Sequence, residues 1–209
     1  MRYILLFSVL FLIACESAEE RSDRFFNLGN QALANGEYEQ AIQLFNESIK
    51  EVPNNAAALN NRGVAKMETD HPYEAILDYN QAIQIQSDYL DALFNRAYAY
   101  EEIGQYDKSL RDVDQIQLLV QDSAFVYFYQ GLVLTKMRTY DRALESFVIA
   151  DRLNPLNPET LVNMATLFYF KNQYDTAIAI LNDAMELSPN DANVFSLSSL
   201  IALEKGNQL

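Results

Sequence analysis

One cysteine, one histidine and no tryptophan occur among the 209 residues. A lone thiol excludes an intramolecular disulfide framework and any multi-thiolate metal centre. A lone imidazole, His71, excludes a His-pair metal site and any relay between two rings. Glycine and proline are scarce, at six and five. The glycine-rich phosphate loops are absent, as are the H-E-x-x-H and G-x-S-x-G signatures of metalloproteases and serine hydrolases. Basic residues are few: 15 Lys and Arg stand against 29 Asp and Glu, for a net charge of −14. A surface that acidic repels phosphate backbones, so nucleic acid is excluded as a partner. Half of the residues are hydrophobic, enough to bury a core.

One long apolar run is present, Ile4 to Ala14, eleven residues interrupted only by Ser8 and preceded by Arg2. As a helix it would extend about 16 Å, roughly half of the ~30 Å needed to span a bilayer. Residues 1–14 therefore read as a signal peptide, outside the folded part. The run ends in Leu12-Ile13-Ala14-Cys15, which resembles the bacterial lipobox. That resemblance implies cleavage before Cys15, a diacylglycerol on its thiol and an acylated amino group. Two or three acyl chains hold a protein firmly to a membrane without spanning it. Residues 15–21 are then the lipidated cysteine and a short polar tether, Glu16 to Arg21, reaching at most about 20 Å. The expected location is the bacterial cell envelope. Glu16, Glu19 and Glu20 behind the cysteine resemble signals that send lipoproteins outward.

From residue 22 onward the chain repeats itself every 34 residues. Gly29, Gly63, Ala97, Gly131, Ala165 and Ser199 are all small at that step. Ala41, Ala75, Ser109, Ala143 and Ala177 form a second small series, and Phe45, Tyr79, Val113, Phe147 and Leu181 an apolar one. Tyrosine recurs at Tyr38, Tyr106, Tyr140 and Tyr174, with Pro72 in the second unit; Pro53, Pro155 and Pro189 recur, with Ser87 and Gln121 between. All six glycines occupy two positions of the period. The small residues allow two helices to approach closely, Gly36 and Gly104 end a first helix at positive φ, and the later prolines stop a second one. Pro72 and Pro158 suit a first helical turn, with Asn157 as an N-cap.

This pattern resembles the tetratricopeptide repeat (TPR), an antiparallel helix pair of 34 residues. The resemblance covers five units (22–55, 56–89, 90–123, 124–157 and 158–191) and a capping helix over 192–209. It implies an all-α solenoid, a right-handed superhelix of helix pairs with the first helices lining a concave surface. Asp70, Arg138 and Asn172 stand where the family commonly has glycine.

The concave surface is where such proteins usually bind. Asn27, Asn61, Asn95, Tyr129 and Asn163 share one position of the period on the first helices, and Asn30, Asn60, Phe94, Tyr98 and Phe128 lie beside it. The amides offer donors and an acceptor that could bracket the backbone of an extended peptide; the other reading is that they bond within the helix pairs. Tyr98 and Tyr129 are candidate aromatic anchors. The two-carboxylate clamp of some TPR proteins is incomplete. Asn30 and Asn61 match, but Phe26, Asp91 and Asn95 replace its basic residues, which disfavours acidic peptide tails. His71 reads as a turn residue, and Glu19–Glu20 and Glu101–Glu102 as solvated surface. No catalytic set, cofactor site or metal site is expected. The expected function is a lipid-anchored adaptor that holds a protein or peptide partner in its groove. Outer-membrane assembly factors, pilotins, cell-wall-hydrolase adaptors and a structural homodimer stay open as alternatives.

Overall fold

The computed structural model describes residues 16–206, so the signal peptide and Cys15 lie outside the described residues. Eleven helices follow one another and no strand occurs among these residues. They are α1 (Ala18–Ala34), α2 (Tyr38–Glu51), α3 (Ala56–Glu68), α4 (Pro72–Ile85), α5 (Leu90–Glu102), α6 (Tyr106–Leu119), α7 (Ala124–Lys136), α8 (Tyr140–Leu153), α9 (Pro158–Phe170), α10 (Tyr174–Leu187) and α11 (Ala192–Gly206). Odd and even helices pair as five hairpins, each packed on the next, and α11 closes the row. First helices also touch one another, α1 to α3, α3 to α5 and α9 to α11, while second helices make no comparable contact. The first helices thus form the tighter, inner layer, and the stack curves around them.

The tether expected over 15–21 is corrected here. Helix α1 begins at Ala18, because Ser17 and Glu20 close a capping box in which each satisfies a backbone N–H of the other. Arg21, placed in the tether by its polarity, instead pairs with Glu51 at the end of α2. Asn157 caps α9, its carboxamide oxygen accepting from the Thr160 N–H at 3.0 Å, with Pro158 in the first turn behind it. Gly36 and Gly104 end the first helices of their units at φ +77° and +71°. Asp70, Arg138 and Asn172 adopt the same left-handed conformation at the equivalent position. Corner prolines are not needed for the turns between units. The Tyr89 N–H bonds the Gln86 carbonyl beside Ser87 much as the Asn55 N–H bonds the Val52 carbonyl beside Pro53.

Two junctions use another device: Asp122 and Leu156 sit at φ +59° and +62°. Leu156 is exposed and gains little burial for this conformation. Left-handed backbone disfavours a residue with a Cβ by about 1–2 kcal/mol, against the extra chain entropy of glycine. Leu156→Gly is therefore expected to stabilise the protein by roughly 0.5–1 kcal/mol, read as a higher denaturant midpoint; a lower midpoint would contradict the strain.

Inside each hairpin the core is a small residue matched to a large one sixteen positions later. The rings of Phe45, Tyr79 and Phe147 lie on Gly29, Gly63 and Gly131 so closely that a Cβ there would fall 2.5–2.6 Å from a ring carbon. Where the small residue is Ala97 or Ala165, the opposing side chain is the smaller Val113 or Leu181. All of these large partners are buried.

Between units the seam is polar. Arg62 on α3 holds Asp78 on α4 through two hydrogen bonds, at 2.9 and 2.6 Å, and Asn46 on α2 through a third at 2.7 Å. One period later Arg96 holds Asp112 and Asn80 with the same geometry. In the fourth unit Gln130 donates to Asp114 and accepts from Ser146. Asp78 and Asp112 are buried, and each bidentate pair with arginine fixes the angle between the helices it joins.

Candidate functional site

The inner surface is built by the faces of the first helices that meet across unit boundaries. Its lining is clearest between α9 and α11, where a groove is bordered by Glu159, Val162, Asn163 and Thr166 on one side and Asn193, Ser196, Leu197 and Leu200 on the other. These residues hold the second, fifth, sixth and ninth positions of their units. The same positions meet in the earlier units, so the trough continues along α7, α5, α3 and α1.

Along the first three units the amides are joined to one another. The Asn95 amide donates to the Asn60 oxygen at 3.0 Å, Asn60 donates to Asn61 at 3.0 Å, and Asn61 donates to Asn30 at 2.7 Å. Four side chains from α5, α3 and α1 thus make one chain of hydrogen bonds along the floor. Asn60, outside the repeated asparagine position, is the link that makes it continuous. Asn61 and Asn95 thus each donate to an amide on the preceding first helix, while Asn60 donates within α3. Asn27 stands exposed on α1, and Asn163 donates to the Glu159 carbonyl of its own helix at 2.9 Å.

In the third and fourth units aromatic rings replace the amides. Tyr129 donates its hydroxyl to a Glu101 carboxylate oxygen at 2.9 Å, and burial, reinforced by that carboxylate, pushes its ionisation well above the usual phenol range. Phe125 stacks on Tyr129, with ring centroids 6.5 Å apart, and meets Phe94 at 5.5 Å. Tyr98 is 49% exposed and Phe125 60%. The Glu102 charge, with burial and Glu101 behind it, raises the Tyr98 phenol above its ordinary value. Phe128 packs on Phe147 at 5.6 Å, which makes it part of the core of its unit, and it also borders a small cleft with Phe125, Asn154 and Glu159.

The sequence-predicted residues thus fall into two groups. Asn30, Asn61 and Asn95 come together in the amide chain, while Tyr98 and Tyr129 come together around Glu101 and Glu102. Asn27 and Asn163 join neither group. Glu101, read as plain solvated surface, is half-buried and bonded to Tyr129. Its signal was available, since it lies 28 residues before an aromatic on the next first helix, but such a spacing has meaning only once the helices are stacked. His71 lies exposed in the turn before α4, its ring nitrogen 3.1 Å from the Thr69 hydroxyl. No group of three or more His, Cys, Asp or Glu among the described residues is placed to hold a metal ion.

Comparison with known proteins agrees with this architecture. Models described as TPR or tetratricopeptide repeats match residues 29–70, 56–89, 78–111 and 134–201. The TPR repeat-containing protein MJ1428 of Methanocaldococcus jannaschii is 23% identical over 198 residues, covering 84% of this chain and 35% of that protein. The chain spans a minor part of the length of the curated relatives it matches. Among solved structures, a tetratricopeptide repeat protein from Parabacteroides merdae superposes with a TM-score of 0.82 at 19% identity, covering 90% of this chain and 74% of that one. YrrB, described as a TPR protein with an unusual peptide-binding site, superposes at 0.72 and 16% identity, over 84% and 90% of the two chains. Repeat register, hairpin stacking and these matches agree, and the chain is made of tetratricopeptide repeats.

Proposed function

We propose that the protein is a non-enzymatic adaptor that holds an extended segment of a partner protein in the trough of its first helices. The observation that carries this reading is the pair of exposed aromatic rings, Tyr98 and Phe125, in a trough whose floor over the first three units is a chain of bonded amides. Large amphipathic rings bind well because they bury much area with little entropy to lose, and the locked amides keep the floor rigid before binding. The likeness to YrrB supports a peptide as the occupant.

The second part of the proposal is anchorage. Cys15 carries lipid, and the folded solenoid starts two residues later with the Ser17 cap, so the adaptor stands close against a membrane of the bacterial envelope. Confinement at a surface raises the effective concentration of a partner there without new contacts. Among the more specific roles, an assembly factor, a pilotin and an adaptor of cell-wall hydrolases all fit this description. A homodimer is a second reading, favoured by Phe195, Leu200 and Leu203, which leave α11 with exposed apolar side chains.

Recovery of partners from envelope extracts tests the first part. Wild-type chain is expected to retain proteins that Tyr98→Ala/Phe125→Ala loses, and equal recovery by both overturns the groove. Fractionation of cells carrying Cys15→Ser tests the second: release from the membrane fraction is expected, and unchanged membrane association and processing overturn the lipid anchor. Light scattering then separates a monomer from a dimer.

A further inference from the structure

The trough carries charge of one sign where its aromatics are exposed. At the second position of the first helices, on the trough, stand Asp91 and Glu159, and in their last turns, at the twelfth and thirteenth positions, stand Glu68, Glu101 and Glu102; Lys136 is the basic residue at those three positions in α3, α5, α7 and α9. The ion pairs of the described residues lie elsewhere: inside the hairpins of the second and third units, near the start of α1, within α2, and at Lys171–Asp141 and Lys205–Asp175. Among the described residues, none of those five carboxylates forms an ion pair. Glu101 accepts a hydrogen bond from the Tyr129 phenol, which orients the carboxylate and leaves its charge in place. Glu102, Glu101 and Glu68 all raise the Tyr98 phenol, so their fields converge on that half-exposed ring. Next to it lies the apolar surface of Phe94, Phe125 and Tyr129.

We propose that the segment taken up between α5 and α7 is a basic one, a polypeptide with lysine or arginine side chains beside an apolar anchor; this rests on the groove reading above and specifies its partner. The anchor packs on Phe94 and Phe125. A neighbouring ammonium or guanidinium group lies over Tyr98 between Glu101 and Glu102, where carboxylates and the negative face of the ring attract it together. The same field draws a basic segment in and turns an acidic one away. A metal ion is not the occupant these carboxylates suit, because they are spread along the trough and form no cluster of three.

Fluorescence anisotropy with the full chain tests this. The probes are three labelled peptides of about twelve residues, with the same leucines and phenylalanines and with lysine, glutamine or glutamate at the remaining positions. The lysine peptide is expected to bind tightest, about tenfold or more above the glutamate peptide. Glu101→Gln/Glu102→Gln is expected to weaken it about tenfold. Glu145→Gln/Glu186→Gln, which removes the same charge from exposed sites on α8 and α10, is expected to leave it unchanged. Equal loss with both pairs, or no preference for the lysine peptide, overturns the proposal. If the three peptides bind alike and all weaken with Tyr98→Ala/Phe125→Ala, the groove stands and only its basic partner falls. If no peptide binds, or none responds to those aromatic changes, the groove reading falls as well.

Discussion

Gly131→Ala is expected to destabilise the protein by about 1–3 kcal/mol, although it adds a single methyl group. The new Cβ would sit 2.6 Å from Cε1 and 2.8 Å from Cδ1 and Cζ of Phe147. That ring is fully buried among Leu134, Ala143 and Leu167 and has no open space to move into. Either the ring leaves its rotamer or α7 and α8 part, and both lose packing. The chain itself supplies the compensating change, since the equivalent pair in the fifth unit is Ala165 with Leu181. Phe147→Leu alone leaves a void and costs about 1 kcal/mol or more. In combination with Gly131→Ala the two changes should largely cancel, a coupling of about 1 kcal/mol or more. Urea denaturation of the four proteins measures it. Additive losses would show that ring and glycine are not in the contact described, and the repeat register would fall with them.

Asp112→Ala is expected to have the larger effect, about 3–5 kcal/mol. Asp112 is 4% exposed and accepts from Arg96 at 2.9 and 2.6 Å. Its removal leaves a guanidinium, itself largely covered at 16% side-chain exposure, with one neutral partner at Asn80. The loss reflects an uncompensated charge more than the worth of the pair. Replacement of the whole constellation separates the two. Two periods later, Met164, Ile180 and Val148 stand at the positions of Arg96, Asp112 and Asn80. Arg96→Met/Asp112→Ile/Asn80→Val is therefore expected to be near neutral or stabilising, because well-packed apolar groups avoid the desolvation that buried ions incur. A triple variant as unstable as Asp112→Ala would mean that the Arg96 constellation sets the angles among α4, α5 and α6 in a way packing cannot replace. Denaturant midpoints distinguish the outcomes.

Hairpins, turns and core were legible in the chain because they are local and repeated. The step from Gly29 to Gly63 to Gly131 states where helices touch, and Gly36 with Gly104 states where first helices end. Even the departures from the pattern were informative: Arg138 and Asn172 take the backbone conformation that their position demands. The start of α1 was misread because polarity was taken for a tether, when Ser17 and Glu20 at a three-residue spacing form a capping box.

The candidate site was legible only as a set of inward residues. That Asn27, Asn61, Asn95, Tyr129 and Asn163 share a position follows from counting, but their partners do not. Asn95 bonds Asn60, 35 residues away, and Asn61 bonds Asn30, 31 residues away. Neither spacing is one helical turn or one period, since each depends on the angle at which one hairpin sits on the next. Arg62 and Arg96 look like ordinary surface charge in the chain and become seam staples only when three helices converge on them.

Periodicity alone determined that this protein is a row of stacked helix pairs with small residues facing rings, because each hairpin has an apolar face that only its neighbours can cover. Tertiary structure alone decided which polar groups are already used and which remain exposed. Hydrogen bonds and ion pairs need distances near 3 Å, and those are set by how successive hairpins rotate on one another. That rotation locks the amides of the first three units together. It leaves the rings of α5 and α7, and the carboxylates of α5, facing the trough.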